Sequence, residues 1–179
     1  MNIKQLTRAG VTAALYALIT VAISPLSYGP FQIRFSEALC ILPLLFPECA
    51  VGLTVGCFIA NFFGTNGAID IVLGTTATLI GAVGTLLAGK FIKNVPLKLI
   101  VGILCPVISN TLLIPVVLLL ATETPESYFV YMLSIGWPEL LSIGVLGTPL
   151  YFAVKKIFKL GENNDTKGGK HADNPKEDN

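Results

Sequence analysis

Residues 38–63 read ALCILPLLFPECAVGLTVGCFIANFF, an apolar run of about 26 residues interrupted by Pro43, Pro47 and Glu48. It forms either one tilted helix or two short ones, and the choice decides which side of a membrane everything downstream lies on. Apolar runs able to cross about 30 Å of hydrocarbon flank it at roughly Thr7 to Ile23, Ile69 to Gly89, Leu97 to Ala121 and Leu133 to Phe152. Lys and Arg collect on the cytoplasmic side of short loops. With two helices and a tight turn at Phe46-Pro47-Glu48, Lys4, Arg8, Lys90, Lys93, Lys98, Lys155, Lys156 and Lys159 all fall inside, leaving only Arg34 outside. With one helix, the Lys90 to Lys98 cluster and the Lys155 to Lys159 end lie opposite Lys4 and Arg8. The expected fold is therefore an all-α integral membrane domain of six transmembrane helices with both termini cytoplasmic. The second helix, about 11 residues or roughly 16 Å at 1.5 Å per residue, is too short to cross upright. Neighbours must shelter it, because lipid does not tolerate exposed backbone ends.

Composition agrees with that class. Hydrophobic residues make up 53% of the chain and charged ones 13%, which places it among integral membrane proteins. The first apolar run ends at Pro25 without a small-residue cleavage pattern, so it reads as a retained span. A net charge of +1 without a basic, aromatic-laced stripe gives no support for nucleic-acid binding. Cys40, Cys49, Cys57 and Cys105 lie in apolar segments without paired metal-ligand spacing, and the one histidine, His171, lies in a polar tail. No cofactor or metal is expected. Residues 1–160 are read as one membrane domain, and residues 161–179 as a disordered cytoplasmic tail on which the Asn164-Asp165-Thr166 sequon is accidental. No phosphate-cradling Gly-rich motif is present, so the chain is not expected to hydrolyse ATP by itself.

Against this apolar background, Gln32-Ile33-Arg34-Phe35-Ser36-Glu37 is a polar island, and ionisable groups beside membrane spans are functional candidates by default. In the six-span reading Arg34, Glu37, Asn61, Asp70 and Glu139 share the outer boundary, which suggests one shallow pocket open to the outside. Asp70 and Glu139 also suit helix starts, where a carboxylate stabilises the N-terminal dipole. Asn110 lies between Pro106 and Pro115, placed either to satisfy backbone groups freed by kinks or to reach the base of the pocket. Glu48 is explained by the start of its own helix. Tyr28, Phe31, Tyr128, Phe129, Tyr131 and Trp137 form an outer aromatic belt, from which Trp137 is the choice for stacking on a flat ligand. Glu37 and Glu139 as a catalytic pair lack a nucleophile, so no enzyme activity is expected. Two rows of small residues, Ala9, Ala13, Ala17 and Gly52, Gly56, Ala60, mark helix faces suited to close packing.

Gln32 to Leu39, with Leu42-Pro43-Leu44, Phe46-Pro47-Glu48, Ala60-Asn61, Asp70-Ile71 and Gly147-x-Pro149-Leu150-Tyr151, resembles the QueT family of queuosine-precursor transporters. The resemblance runs from about Lys4 to Lys156. It implies a six-helix substrate-binding S component of an energy-coupling factor (ECF) importer in a prokaryotic plasma membrane. Such a component works with a transmembrane coupling subunit and two cytoplasmic ATPases, and the Ala9, Ala13, Ala17 row matches the motif that docks on the coupling subunit. The implied ligand is a 7-deazaguanine base. One carboxylate, Glu37 or Glu139, would accept its ring N–H and exocyclic amine together, and Asn61 or Gln32 would donate to its carbonyl. Asp70 would face a cationic aminomethyl substituent, while Arg34 either contacts ligand or braces Glu37. An S component for folate or thiamine, and an ion-coupled carrier using Glu37, Asp70 or Glu139, stand as alternatives.

Overall fold

The computed structural model describes residues 1–27, 33–64, 67–121 and 127–158. Gln32, Tyr28, Phe31 and the tail from Gly161 lie outside the described residues. Every element among those described is helical: α1 (Ile3–Ala22), the short turn α2 (Ser24–Ser27), a 3-10 helix (Phe35–Leu44), α3 (Cys49–Asn61), α4 (Gly67–Phe91), α5 (Val95–Ala121) and α6 (Tyr128–Phe158). α4, α5 up to Leu120 and α6 are long and apolar enough to cross a membrane. α1, at 20 residues, opens with a capping box in which the Asn2 side chain accepts from the Gln5 N–H and the Gln5 side chain accepts from the Asn2 N–H.

The 38–63 stretch is two helices. Chain reversal between Leu45 and Glu48 separates a 3-10 segment from α3. The first segment differs from the α-helix expected there, and the winding has a consequence for length. At about 2.0 Å per residue, ten residues reach roughly 20 Å, further than the same number in an α-helix. Its shelter is complete: every residue from Ser36 to Leu44 is buried. It packs against α1, α3, α4, α5 and a π-helical stretch of α6, Ser142–Gly147. Gly147 permits that last approach, since a Cβ there would stand 3.0 Å from the Ala38 carbonyl oxygen.

Two seams of small residues hold the long helices around this axis. Ala9 and Ala13 are buried against α3, so closely that a Cβ at Gly52 would come within 2.4 Å of the Ala9 carbonyl oxygen, and one at Gly56 within 2.7 Å of that of Ala13. Between α4 and α5, Gly81 admits the backbone of Pro106 in the same way. Pro106 has no N–H for the carbonyl of Gly102, and an orphaned carbonyl in a dry interior is costly. The buried Thr85 hydroxyl lies 2.9 Å from that oxygen, so α4 supplies the donor that α5 lacks. Sequence reading gives Asn110 this repair as one of two roles; for the Pro106 gap the repair belongs to Thr85.

α6 starts at Tyr128 rather than near Leu133. Its first turns, Tyr128 to Met132, are the aromatic stretch assigned to the outer loop and belt. Glu139 is therefore not at a helix start. It lies eleven residues in, roughly 16 Å along the axis, one turn before the π-helical stretch.

Candidate functional site

Arg34, Glu37, Asn110, Ile114, Ile135 and Glu139 line one small cavity of about 20 Å³. Three elements meet there: the entry and first turn of the 3-10 helix, the middle of α5 and the middle of α6. All four polar members are buried, at 7%, 2%, 5% and 6% exposure respectively, so this is an interior site and not the shallow boundary pocket expected from sequence. The depth follows from the early start of α6, which carries Glu139 down into the bundle.

Each charged group has built partners. The Glu37 carboxylate accepts from the Tyr16 hydroxyl at 2.5 Å on one oxygen and from the Cys40 thiol at 3.0 Å on the other. Cys40 reaches it because residues three apart stack in a 3-10 helix. Tyr16 is wholly buried, and buried tyrosine hydroxyls usually find a partner. Its backbone carbonyl accepts from Thr20, whose hydroxyl in turn lies 2.6 Å from that of Ser36. The side-chain amide of Asn110 donates to Glu139 at 2.6 Å. Arg34 Nη2 lies 3.6 Å from Asp70 Oδ2, and Arg34 Nε donates to the carbonyl of Ser27. Arg34 thus forms an ion pair with Asp70, and Tyr16 and Cys40 hold Glu37.

Asp70 is in the first turn of α4 and fully buried, so it is both a helix-start carboxylate and the counter-ion of Arg34. Asn61, also buried, donates to the backbone carbonyl of Asp70 at 3.1 Å and ties the end of α3 to the start of α4. Gly74 leaves room for this corner: a Cβ there would stand 2.8 Å from Asn61 Nδ2 and 2.9 Å from Asp70 Oδ1. Asn61 and Asp70 are thus a layer behind the cavity, not its lining. Trp137 does not join it. At 65% exposure, Trp137 lines an outer apolar groove with Ile33, Phe35, Pro138 and Leu141. The apolar lining of the cavity itself is Ile114 and Ile135.

Sequence reading overlooks Tyr16 and Cys40. A tyrosine between Ala13 and Ala17 in an apolar helix is the available signal, since its hydroxyl requires a partner on the facing element. Ala9 and Ala13, expected at a subunit interface, are covered by α3 of the same chain, and Ala17 is half-buried.

At the opposite end of the bundle, Arg8 and Glu48 form an ion pair at 3.0 Å. The Arg8 guanidinium also lies over the rings of Phe46 at 4.3 Å and Phe158 at 4.8 Å, which themselves meet edge to face. Glu48 makes no side-chain bond to cap α3; its partner is Arg8.

The family model described as QueT transporter matches residues 6–156, nearly the whole helical bundle. This chain belongs to the QueT transporter family. The queuosine precursor transporter QueT of Lactococcus lactis subsp. cremoris (strain MG1363) is 34% identical over 84 residues, which cover 45% of this chain and 49% of that protein. The matched stretch thus spans about half the length of that relative. No solved structure matches this QueT-family chain.

Proposed function

We propose that the chain is the substrate-binding S component of an ECF-type importer. It captures a 7-deazaguanine precursor of queuosine from the outer side for ATP-driven uptake. The observation that carries the reading is the convergence, in a QueT-family chain, of Arg34, Glu37, Asn110 and Glu139 on one buried cavity with apolar walls. Those groups suit a guanine-like edge. A carboxylate accepts the ring N–H and exocyclic amine together, and Arg34 or Asn110 donates to the ring carbonyl. Ile114 and Ile135 replace Trp137 as the surfaces against which the ring would lie. A cavity of about 20 Å³ admits a water-sized group, so the ring enters only as α6 and its Ile135 wall move from α5.

Residues 1–160 act in this reading as one six-span domain of the plasma membrane. Contact of Arg8 with Phe158 supports it, since the start of α1 and the end of α6 meet at one end, as an even number of crossings requires. Docking on a coupling subunit, with its two ATPases, would use the face of α1 that α3 does not cover, where Leu6, Gly10 and Ala14 are exposed. A chain purified alone should bind 7-deazaguanine precursors in preference to guanine, folate and thiamine. No binding of any such precursor sinks the assignment. Uptake should require the coupling subunit and ATPases, and full uptake by this chain alone would favour an ion-coupled carrier instead.

A further inference from the structure

The movement of α6 that admits the ring also uncovers a group not yet assigned to the site, an inference that rests on the reading above. α5 gives the cavity Asn110 and Ile114, and α6 gives it Ile135 and Glu139. One residue along from a lining member on each helix, Thr111 meets Gly136. A Cβ on Gly136 would stand 2.9 Å from Thr111 Oγ1 and 3.3 Å from its Cγ2. The threonine thus fills the place that a side chain at 136 would take, and the two helices close on each other there.

Thr111 departs from most of the chain's helical threonines. Inside a helix a threonine hydroxyl commonly donates to the carbonyl four residues back. Thr7, Thr12, Thr20, Thr54, Thr76 and Thr85 do so, at 2.7–3.0 Å. The Oγ1 atoms of Thr111 and of Thr75 on α4 are instead buried without a hydrogen-bond partner among the described residues. Of these two, Thr111 stands at the seam between α5 and α6. A buried hydroxyl without a partner disfavours the closed bundle, so its retention calls for a use elsewhere. Gly136 adjoins Ile135, so withdrawal of the Ile135 wall from α5 also withdraws Gly136 and opens Thr111 to the enlarged space. We propose that Thr111 is a further substrate-binding residue: its hydroxyl, idle while α5 and α6 are closed, hydrogen-bonds a polar edge of the bound base once they part. A hydroxyl both donates and accepts, so it serves a ring N–H or a ring carbonyl alike.

Thr111→Val keeps the shape of the side chain and removes the hydroxyl. In the free chain it should leave the denaturant midpoint unchanged or raise it, because no hydrogen bond is lost. Purified protein is titrated with 7-cyano-7-deazaguanine and 7-aminomethyl-7-deazaguanine. For whichever of these the unaltered chain binds, Thr111→Val should weaken binding about fivefold, the scale of one hydroxyl hydrogen bond. Thr111→Ser, which retains the hydroxyl, should recover most of that loss. A change below about threefold in Thr111→Val overturns the inference and leaves the queuosine-precursor reading standing. A midpoint lowered together with the affinity also overturns it, since the hydroxyl then serves the closed fold. Equal weakening in the Val and Ser variants overturns it as well, by tracing the effect to packing. Failure of the unaltered chain to bind either base overturns both readings.

Discussion

The 3-10 helix joins two clusters built on different terms. At its N-terminal end, Arg34, Glu37, Asp70 and Glu139 are all less than a tenth exposed; Glu37 and Glu139 accept from hydroxyl, thiol and amide donors of α1, the helix itself and α5, and Asp70 pairs with Arg34. Beyond its C-terminal end, Arg8 keeps about a third of its side chain exposed and rests on two aromatic rings beside Glu48. Buried charges are expensive and tolerate little error in their partners, whereas a pair with one member a third exposed keeps part of its hydration. The first arrangement is worth its cost only where polar groups must meet something; the second serves to fasten helix ends.

That contrast can be broken by substitution. Asp70→Ala, which leaves the buried Arg34 without its carboxylate, should have the largest effect, about 3–5 kcal/mol in denaturant unfolding in micelles. A loss below about 1 kcal/mol would show that the cluster is not dry. Tyr16→Phe removes one hydroxyl from Glu37 and should cost about 1–3 kcal/mol while weakening precursor binding. If unfolding shifts and affinity does not, Tyr16 supports the fold alone. Thr85→Val removes the donor to the Gly102 carbonyl, and about 1–3 kcal/mol should be lost with affinity unchanged. Arg8→Ala takes the charge partner from a Glu48 side chain that is 5% exposed and should cost about 1–3 kcal/mol, with ligand affinity unaltered. A loss of affinity in that variant would mean that the far cluster communicates with the cavity along the 3-10 helix.

Much of this arrangement is legible in the sequence, for reasons that vary by residue. Two helices within residues 38–63 follow from Lys and Arg placement, because the cost of misplacing charge across a bilayer is large and simple. Arg34, Glu37 and Glu139 stand out as charges in apolar surroundings, and they do share one space. Tyr16 and Cys40 do not stand out, since each is unremarkable in an apolar helix until the facing carboxylate is known. The depth of Glu139 is hidden because Tyr128 to Met132 reads equally well as an interfacial belt and as a helix turn. Trp137 misleads for a related reason: an aromatic beside a proline and a glutamate looks like a ligand wall, but helix phase directs it outward. Likewise, small residues at Ala9 and Ala13 permit close approach without saying to what, and here α3 takes the space.

A final consequence concerns what hydrophobicity means along the 3-10 helix. Three residues per turn arrange its side chains in three straight columns, and from Ser36 to Leu44 all three columns are buried. No column is left to face lipid. Its apolar sequence is thus a response to other side chains, as in the core of a water-soluble protein, and not to the bilayer as a solvent. Bilayer thickness or composition should bear on it only through the helices that enclose it, so its length is free to be set by the distance between the two clusters it joins.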